Sequence, residues 1–172
     1  MLSMVEYVHQ RILTYQGEVA VDFTMGNGHD TYFLANHFSK VYAFDIQKEA
    51  LIHTQKRLSG YENVTYILDN HKNMEYYIDY FDIGVFNLGY LPHSTHFTTT
   101  VLSSTKEALF KAIERFQKAL FIVVYPGHEE GHKESLWIDE YVQTLNTHQY
   151  NVSMFKMMNK QKAPYVIEIE KR

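Results

Sequence analysis

Two glycines followed by a strand-end carboxylate mark the chemistry this chain can do. The run Val19-Ala20-Val21-Asp22-Phe23-Thr24-Met25-Gly26-Asn27-Gly28-His29-Asp30-Thr31 reads as a buried strand, a glycine turn and the start of a helix. Without a Cβ, Gly26 and Gly28 let the backbone turn sharply and let a ligand approach it closely. The free N–H groups of the following helix then face an anionic or polar ligand group. A second apolar run, Val41-Tyr42-Ala43-Phe44, ends in Asp45, placed to accept hydrogen bonds from both hydroxyls of a ribose. Turn and carboxylate in this order predict a nucleotide-type cofactor site drawing on Thr24, Gly26, Asn27, Gly28, His29, Asp30, Asp45 and Gln47.

Two further strand ends extend the site. Tyr66-Ile67-Leu68 runs into Asp69-Asn70-His71, where Asp69 or Asn70 could bond an adenine amino group; a helix N-cap is the alternative for either. The fourth strand-like run ends Asn87-Leu88-Gly89-Tyr90-Leu91-Pro92, at the carboxyl edge where open α/β sheets take their ligands. An ordinary loop turning on Gly89 and Pro92 is the plain alternative. The segment resembles the Asn-Pro-Pro-Tyr box of amino-group methyltransferases, with Gly89 in place of a proline. In such a box the Asn carbonyl orients an amine and the aromatic ring stacks on a base. A dinucleotide fingerprint wants a third glycine where Thr31 stands, and Asp22 is the kind of acid that methyltransferases keep to orient the loop or the amino group of S-adenosylmethionine. Methyltransferase is therefore preferred over another nucleotide fold or a structural turn.

The elements that must position these residues alternate along the chain. Helices are expected at about 2–14, 29–38, 47–59, 71–79, 100–117 and 132–147, and strands at about 18–23, 40–45, 63–67, 83–87 and 119–125. Leu102, Leu109, Ile113 and Phe116 mark the apolar face of the fifth helix. Two last strand-like runs, about 150–158 and 164–170, are separated by only Asn159-Lys160-Gln161-Lys162-Ala163, too short for a parallel crossover. They predict an antiparallel hairpin. The fold expected is α/β and Rossmann-like: a seven-stranded, mostly parallel class I methyltransferase sheet with an antiparallel last strand and helices on both faces. With 172 residues the chain is expected to be a single methyltransferase domain, 1–172.

Composition excludes several chemistries. The chain has no cysteine, so disulfides, thiolate zinc sites, iron–sulfur clusters and a Cys nucleophile are ruled out. No apolar run is long enough to span a bilayer and the first residues are acidic, which predicts a soluble cytoplasmic protein. A net charge of −4 argues against a surface that grips nucleic acid everywhere. Residues 156–172 nonetheless carry five bases against two acids, so a small RNA contact or a solvated hairpin fits that end. His128-Glu129-Glu130-Gly131-His132 satisfies the zinc-protease pattern, which works only on a helix; Pro126, Gly127 and Gly131 favour a loop beside the cofactor pocket, and no metal is expected. His9, His37, His53 and His148 read as surface positions.

Taken together, Val21 to Thr31, Phe86-Asn87-Leu88-Gly89-Tyr90-Leu91-Pro92, Tyr125-Pro126-Gly127-His128-Glu129-Glu130-Gly131 and the final Pro164 and Ile169-Glu170-Lys171 resemble a small bacterial family of rRNA methylases over nearly the whole chain. The resemblance implies transfer of a methyl group from S-adenosylmethionine to the aminomethyl nitrogen of wobble uridine 34 in tRNA, giving 5-methylaminomethyl-2-thiouridine, by a monomer or homodimer. Members often carry Gly-Gly-Asp after the Leu-Pro, where this chain has His93-Ser94-Thr95-His96. It implies Asn87 and Tyr90 as the residues that position the acceptor, with His93 as a proton acceptor. Asp22, Asp69, Asn70, His71 and Asn87 join the glycine-loop residues around the cofactor, and Tyr90, His128, Lys160 and Lys162 face RNA. An rRNA or small-amine acceptor, and a non-catalytic module that senses S-adenosylmethionine, are the rival readings.

Overall fold

The structure is a computed structural model that describes residues 2–89 and 98–172, the second stretch with side chains from residue 102 onward. Tyr90 and His93 lie outside the described residues. In chain order the elements are α1 (Met4–Ile12), β1 (Val19–Asp22), α2 (His29–His37), β2 (Lys40–Asp45), α3 (Lys48–Arg57) and β3 (Val64–Leu68). A 3₁₀ turn (His71–Tyr76) leads into β4 (Phe81–Asn87), α4 (Thr98–Arg115), β5 (Phe116–Val124), α5 (Glu129–Gln143), β6 (Tyr150–Phe155) and β7 (Tyr165–Lys171).

The strands form one sheet in the order β3-β2-β1-β4-β5-β7-β6. β1 to β5 pair in parallel, while β7 runs antiparallel between β5 and β6, with Phe155 opposite Val166 at the hairpin end. This is the expected class I methyltransferase sheet. Strand order reverses between β1 and β4, so the loops after these strands diverge to opposite sides and open a crevice at their carboxyl ends. Because helices cover both faces, the central strands are apolar throughout rather than alternating. One core holds Val21, Phe23, Phe86, Leu109 and Ile138 beneath α4 and α5; the other holds Val8, Ile12, Leu34, Leu58 and Val85 beneath α1, α2 and α3.

Several boundaries differ from expectation by two or three residues, and two of the differences have a clear physical reason. Phe116 continues the apolar stripe of α4, yet it is the first residue of β5 and pairs with Phe81. α5 begins at Glu129 rather than near 132, with His128 as its N-cap, so His128 to His132 lie on a helix start and not in a loop. Even so, no group of three or more His, Asp or Glu side chains able to hold a metal ion is found among the described residues.

α1 is tied down at both ends. Ser3 and Glu6 cap each other reciprocally at its start. At its end Arg11 donates two hydrogen bonds to Glu168 on β7, at 2.9 and 2.8 Å, and the Tyr15 hydroxyl donates a third at 2.5 Å. Glu168 is only 5% exposed, so truncating Arg11 leaves a buried carboxylate with one neutral donor, Tyr15, among the described residues. Because Arg11 itself is partly solvated, the expected cost of Arg11→Ala is about 2–3 kcal/mol, below the usual range for a buried pair. That should lower the midpoint of thermal unfolding by roughly 5–10 °C, and an unchanged midpoint would refute it.

Candidate active site

At the carboxyl edge of β1 the chain must turn and start α2 within six residues. Gly26 and Gly28 do this with φ values of +52° and +81°, a region open to glycine and strained for other residues. A Cβ at Gly28 would also lie 2.8 Å from Thr54 on α3. Gly26 differs, because among the described residues a Cβ there would meet only the Thr24 carbonyl, at 3.8 Å. One glycine is needed for packing; the other leaves open space beside the loop.

Buried carboxylates hold the loop in shape. Asp22 is fully buried, accepts from the Thr24 N–H at 3.0 Å, and accepts from the Thr31 hydroxyl at 2.6 Å. Thr31 therefore supplies a tether where a dinucleotide fingerprint would have its third glycine. Burial, and next the neighbouring charge of Asp30, push the Asp22 carboxyl well above the ordinary carboxylate range. Asp45 accepts from the Gly26 N–H at 3.0 Å and the Gln47 N–H at 2.9 Å, one on each oxygen, and each oxygen keeps a second lone pair.

These elements enclose a cavity of about 990 Å³. Thr24, Gly26, Asn27, His29, Asp30, Asp45 and Gln47 line one part of it. Asp69, Asn70, His71 and Asn87 line the next, and His128 and Lys162 lie at its far wall. Asp22 and Gly28 are buried behind the loop rather than in the wall, and Lys160 is exposed on the β6–β7 turn away from it.

The middle of the cavity shows why Asp69, Asn70 and His71 stand where they do. Asn70 is the N-cap of the 3₁₀ turn, accepting from the Lys72 N–H and donating to the Ser104 hydroxyl. Partial burial opposes ionisation of Asp69, but hydrogen bonds from Asn73, Tyr77 and the Asn70 N–H outweigh it and hold its carboxyl below the ordinary range. His71 Nδ1 lies 2.9 Å from the Phe23 carbonyl, which can only accept, so Nδ1 carries the proton and Nε2 keeps its lone pair. Burial lowers the imidazole's pKa and favours this neutral form.

At the end of β4 the Asn87 N–H donates to Thr24 Oγ1 at 2.8 Å, and its side-chain amide donates to Asp30 at 3.3 Å. The Tyr125 hydroxyl, at the end of β5, shares a hydrogen bond with the same side chain. Asp30 is held in turn by His9 of α1, at 2.6 Å, whose ring stacks on Phe33 with centroids 3.9 Å apart. His9 is thus half-buried and engaged, not a surface residue.

Tyr125 and Glu134 line the cavity as well; Tyr125 opens one of the runs that carry the family resemblance, but neither is assigned a role from the sequence. Tyr125 could have been found from its place at the carboxyl end of the strand beside β4. Glu134 repeats with Ile138 and Val142 on the buried stripe of α5, where a charge is out of pattern. It is 6% exposed, its Oε2 accepts from Thr105 at 3.0 Å, and burial pushes its pKa up to about 7 against that hydrogen bond.

Comparison with known proteins fits this geometry. The pattern of the family described as "Putative rRNA methylase" matches residues 41–170. The chain belongs to this family. It is a methyltransferase, and the α/β sheet with its crevice is similar throughout to two solved structures. One is a "putative methyltransferase" of Streptococcus mutans in complex with S-adenosylhomocysteine: 33% identical, TM-score 0.90, covering 100% of this chain and 99% of that one. The other is a "putative rRNA-methylase" of Clostridium thermocellum, 33% identical with TM-score 0.92 and the same coverage. A curated relative, the chloroplastic tRNA (mnm(5)s(2)U34)-methyltransferase of Arabidopsis thaliana, is 32% identical over 177 aligned positions, covering 91% of this chain. The methyltransferase chain spans 64% of that relative's length.

Proposed function

We propose that this methyltransferase transfers a methyl group from S-adenosylmethionine to the aminomethyl nitrogen of 5-aminomethyl-2-thiouridine at wobble position 34 of tRNA, as one domain working in the cytoplasm. The observation that carries the reading is the Asn87 amide, fixed by Asp30 and Tyr125 within a cavity near the upper end of the ~300–1,000 Å³ usual for small-molecule sites. That volume suits a donor together with an acceptor base. The wobble chemistry named for the plant relative supports the choice of acceptor.

The residues present fit the donor. Gly26 leaves open space at the loop, Asp45 has lone pairs left for ribose hydroxyls, and Asp30, Asp45 and Asp69 give the cavity a negative potential suited to a cationic ligand. When bound, the donor supplies a methyl group on a positively charged sulfur. Asn87 offers its carbonyl oxygen to an N–H of the acceptor amine and so aims the nitrogen lone pair. The apolar walls formed by Phe23, Leu88 and Leu102 disfavour the ammonium form of that amine. Tyr90 stacks on the base in this reading, and a single-stranded anticodon loop lets the uridine leave its stack at low cost.

The deciding assay presents labelled donor to tRNA and rRNA from a strain lacking this gene, followed by mass spectrometry of the nucleosides. Label in 5-methylaminomethyl-2-thiouridine supports the proposal. Label in rRNA alone would favour the rival suggested by the family's description, and binding without turnover would favour a sensor. Lys162 at the cavity and Lys160 on the same turn are proposed to meet RNA phosphates, as is His128. Replacing both lysines by alanine should weaken RNA binding and reduce the slope of log affinity against log salt by about 1.4, the value for two contacts to a single strand. An unchanged slope removes them from the interface.

A further inference from the structure

An alkylamine is mostly protonated near neutral pH and an ammonium has no lone pair, so the acceptor must lose a proton before it can be methylated. Resting on the proposed amine acceptor, the structure assigns that proton to Glu134: we infer that its carboxylate, set in the cavity wall by Thr105, is the base that deprotonates the acceptor ammonium.

Three observations place it there. Glu134 lines the same cavity as Asn87 and Tyr125, although its helix, α5, lies beyond the next strand. The carboxylate is buried among residues that otherwise pack as core, with Ser135 and Ile138 beside it on α5. Among the described residues one donor reaches it, Thr105 of α4, at Oε2; Oε1 takes none. A buried carboxyl with an oxygen open to a cavity is costly for folding alone, since a glutamine or leucine would pack there at less cost.

The groups nearest it on α5, β7 and the hairpin turn do not duplicate the role. Tyr165 of β7 is close enough for Glu134 to raise its pKa, and its hydroxyl donates to Asp139. Glu130, one turn earlier on α5, and His128 and Lys162 share the cavity wall, and they are half-buried or exposed rather than enclosed. Elevation to about 7 makes Glu134 ionised enough to accept a proton near neutral pH and basic enough to hold it.

The step balances. The ammonium N–H bond breaks, its proton passes to Glu134 directly or through one water, and the electron pair stays on nitrogen. The N–C bond then forms as the S–CH₃ bond breaks, the pair from that bond remaining on sulfur. The secondary ammonium product carries away the positive charge, and Glu134 returns its proton to solvent between turnovers.

The test is single-turnover methylation of tRNA carrying 5-aminomethyl-2-thiouridine, from pH 6 to 10, with wild type, Glu134→Gln, Thr105→Val and His93→Gln. Thermal unfolding and calorimetric titration of S-adenosylhomocysteine check that each variant folds and binds. Wild type should gain rate through pH about 7 and level off. Glu134→Gln should lose on the order of 100-fold at pH 7, the lower range for general-base catalysis, and recover toward pH 10 as solution supplies neutral amine. Thr105→Val should move the rise to higher pH, because it removes the donor that favours the carboxylate. A Glu134→Gln rate within about threefold of wild type, a loss equal at every pH, or a profile that moves only with His93→Gln would overturn the assignment. Wild type that binds the nucleoside but leaves this tRNA unmethylated overturns the amine reading itself, and the assignment with it.

Discussion

Replacing Asn87 with alanine should lower the rate of methyl transfer by about 100-fold or more while leaving S-adenosylhomocysteine affinity within a few-fold of wild type. The physical reason is division of labour at the end of β4. The Asn87 backbone N–H is bonded to Thr24 Oγ1, and that bond, which helps shape the donor side, survives truncation. The side chain is held between Asp30 and Tyr125, so its carbonyl oxygen has a fixed direction, and truncation removes the group that fixes the amine. A misplacement near 1 Å of a reacting group is enough for a loss on the order of 100-fold. Asn87→Asp should be no better, because it sets a second carboxylate against Asp30. Single-turnover rates beside calorimetry separate the two effects. Equal losses in rate and affinity would mean that Asn87 serves the donor rather than the acceptor.

How much of this was readable beforehand follows from what each signal measures. β2 was placed at its observed limits because a Val-Tyr-Ala-Phe run bounded by a lysine and an aspartate has one good reading. The glycine turn and Asp45 were legible for a similar reason: special backbone geometry and a strand-end carboxylate leave few alternatives. Phe116 satisfies two patterns at once. It lies three residues beyond Ile113 on the helical stripe and also begins the apolar run of β5, and only pairing with Phe81 decides between them. His9 reads as a surface residue because its partner is 21 positions away, on α2, a contact no local period records. Glu134 carries little signal because acids on helices are usually solvated; its position on the buried stripe is the one clue.

The start of α5 misled for the opposite reason, and the second large effect follows from it. Gly131 looked like a helix breaker, yet it sits in the first turn of α5 and is buried. Its role is close approach: a Cβ there would collide with the Tyr125 carbonyl oxygen and press on the His128 ring. A backbone oxygen at the end of β5 cannot swing aside as a side-chain tip can, so Gly131→Ala must push the first turn of α5 away from the sheet. The expected cost is about 3 kcal/mol, the upper part of the range for overpacking, or roughly 10 °C in the unfolding midpoint. Gly127→Ala is the internal control, since among the described residues a Cβ there meets only the Lys162 carbonyl at 3.5 Å, an ordinary contact, and should change stability little. Displacing α5 also moves Glu134 and the wall carrying His128. Activity at a temperature where the Gly131→Ala variant is still folded should therefore fall further than its donor affinity does. If both glycine variants melt together with wild type, the close contact between α5 and the end of β5 does not exist in solution, and the wall that presents Glu134 to the acceptor would have to be drawn differently.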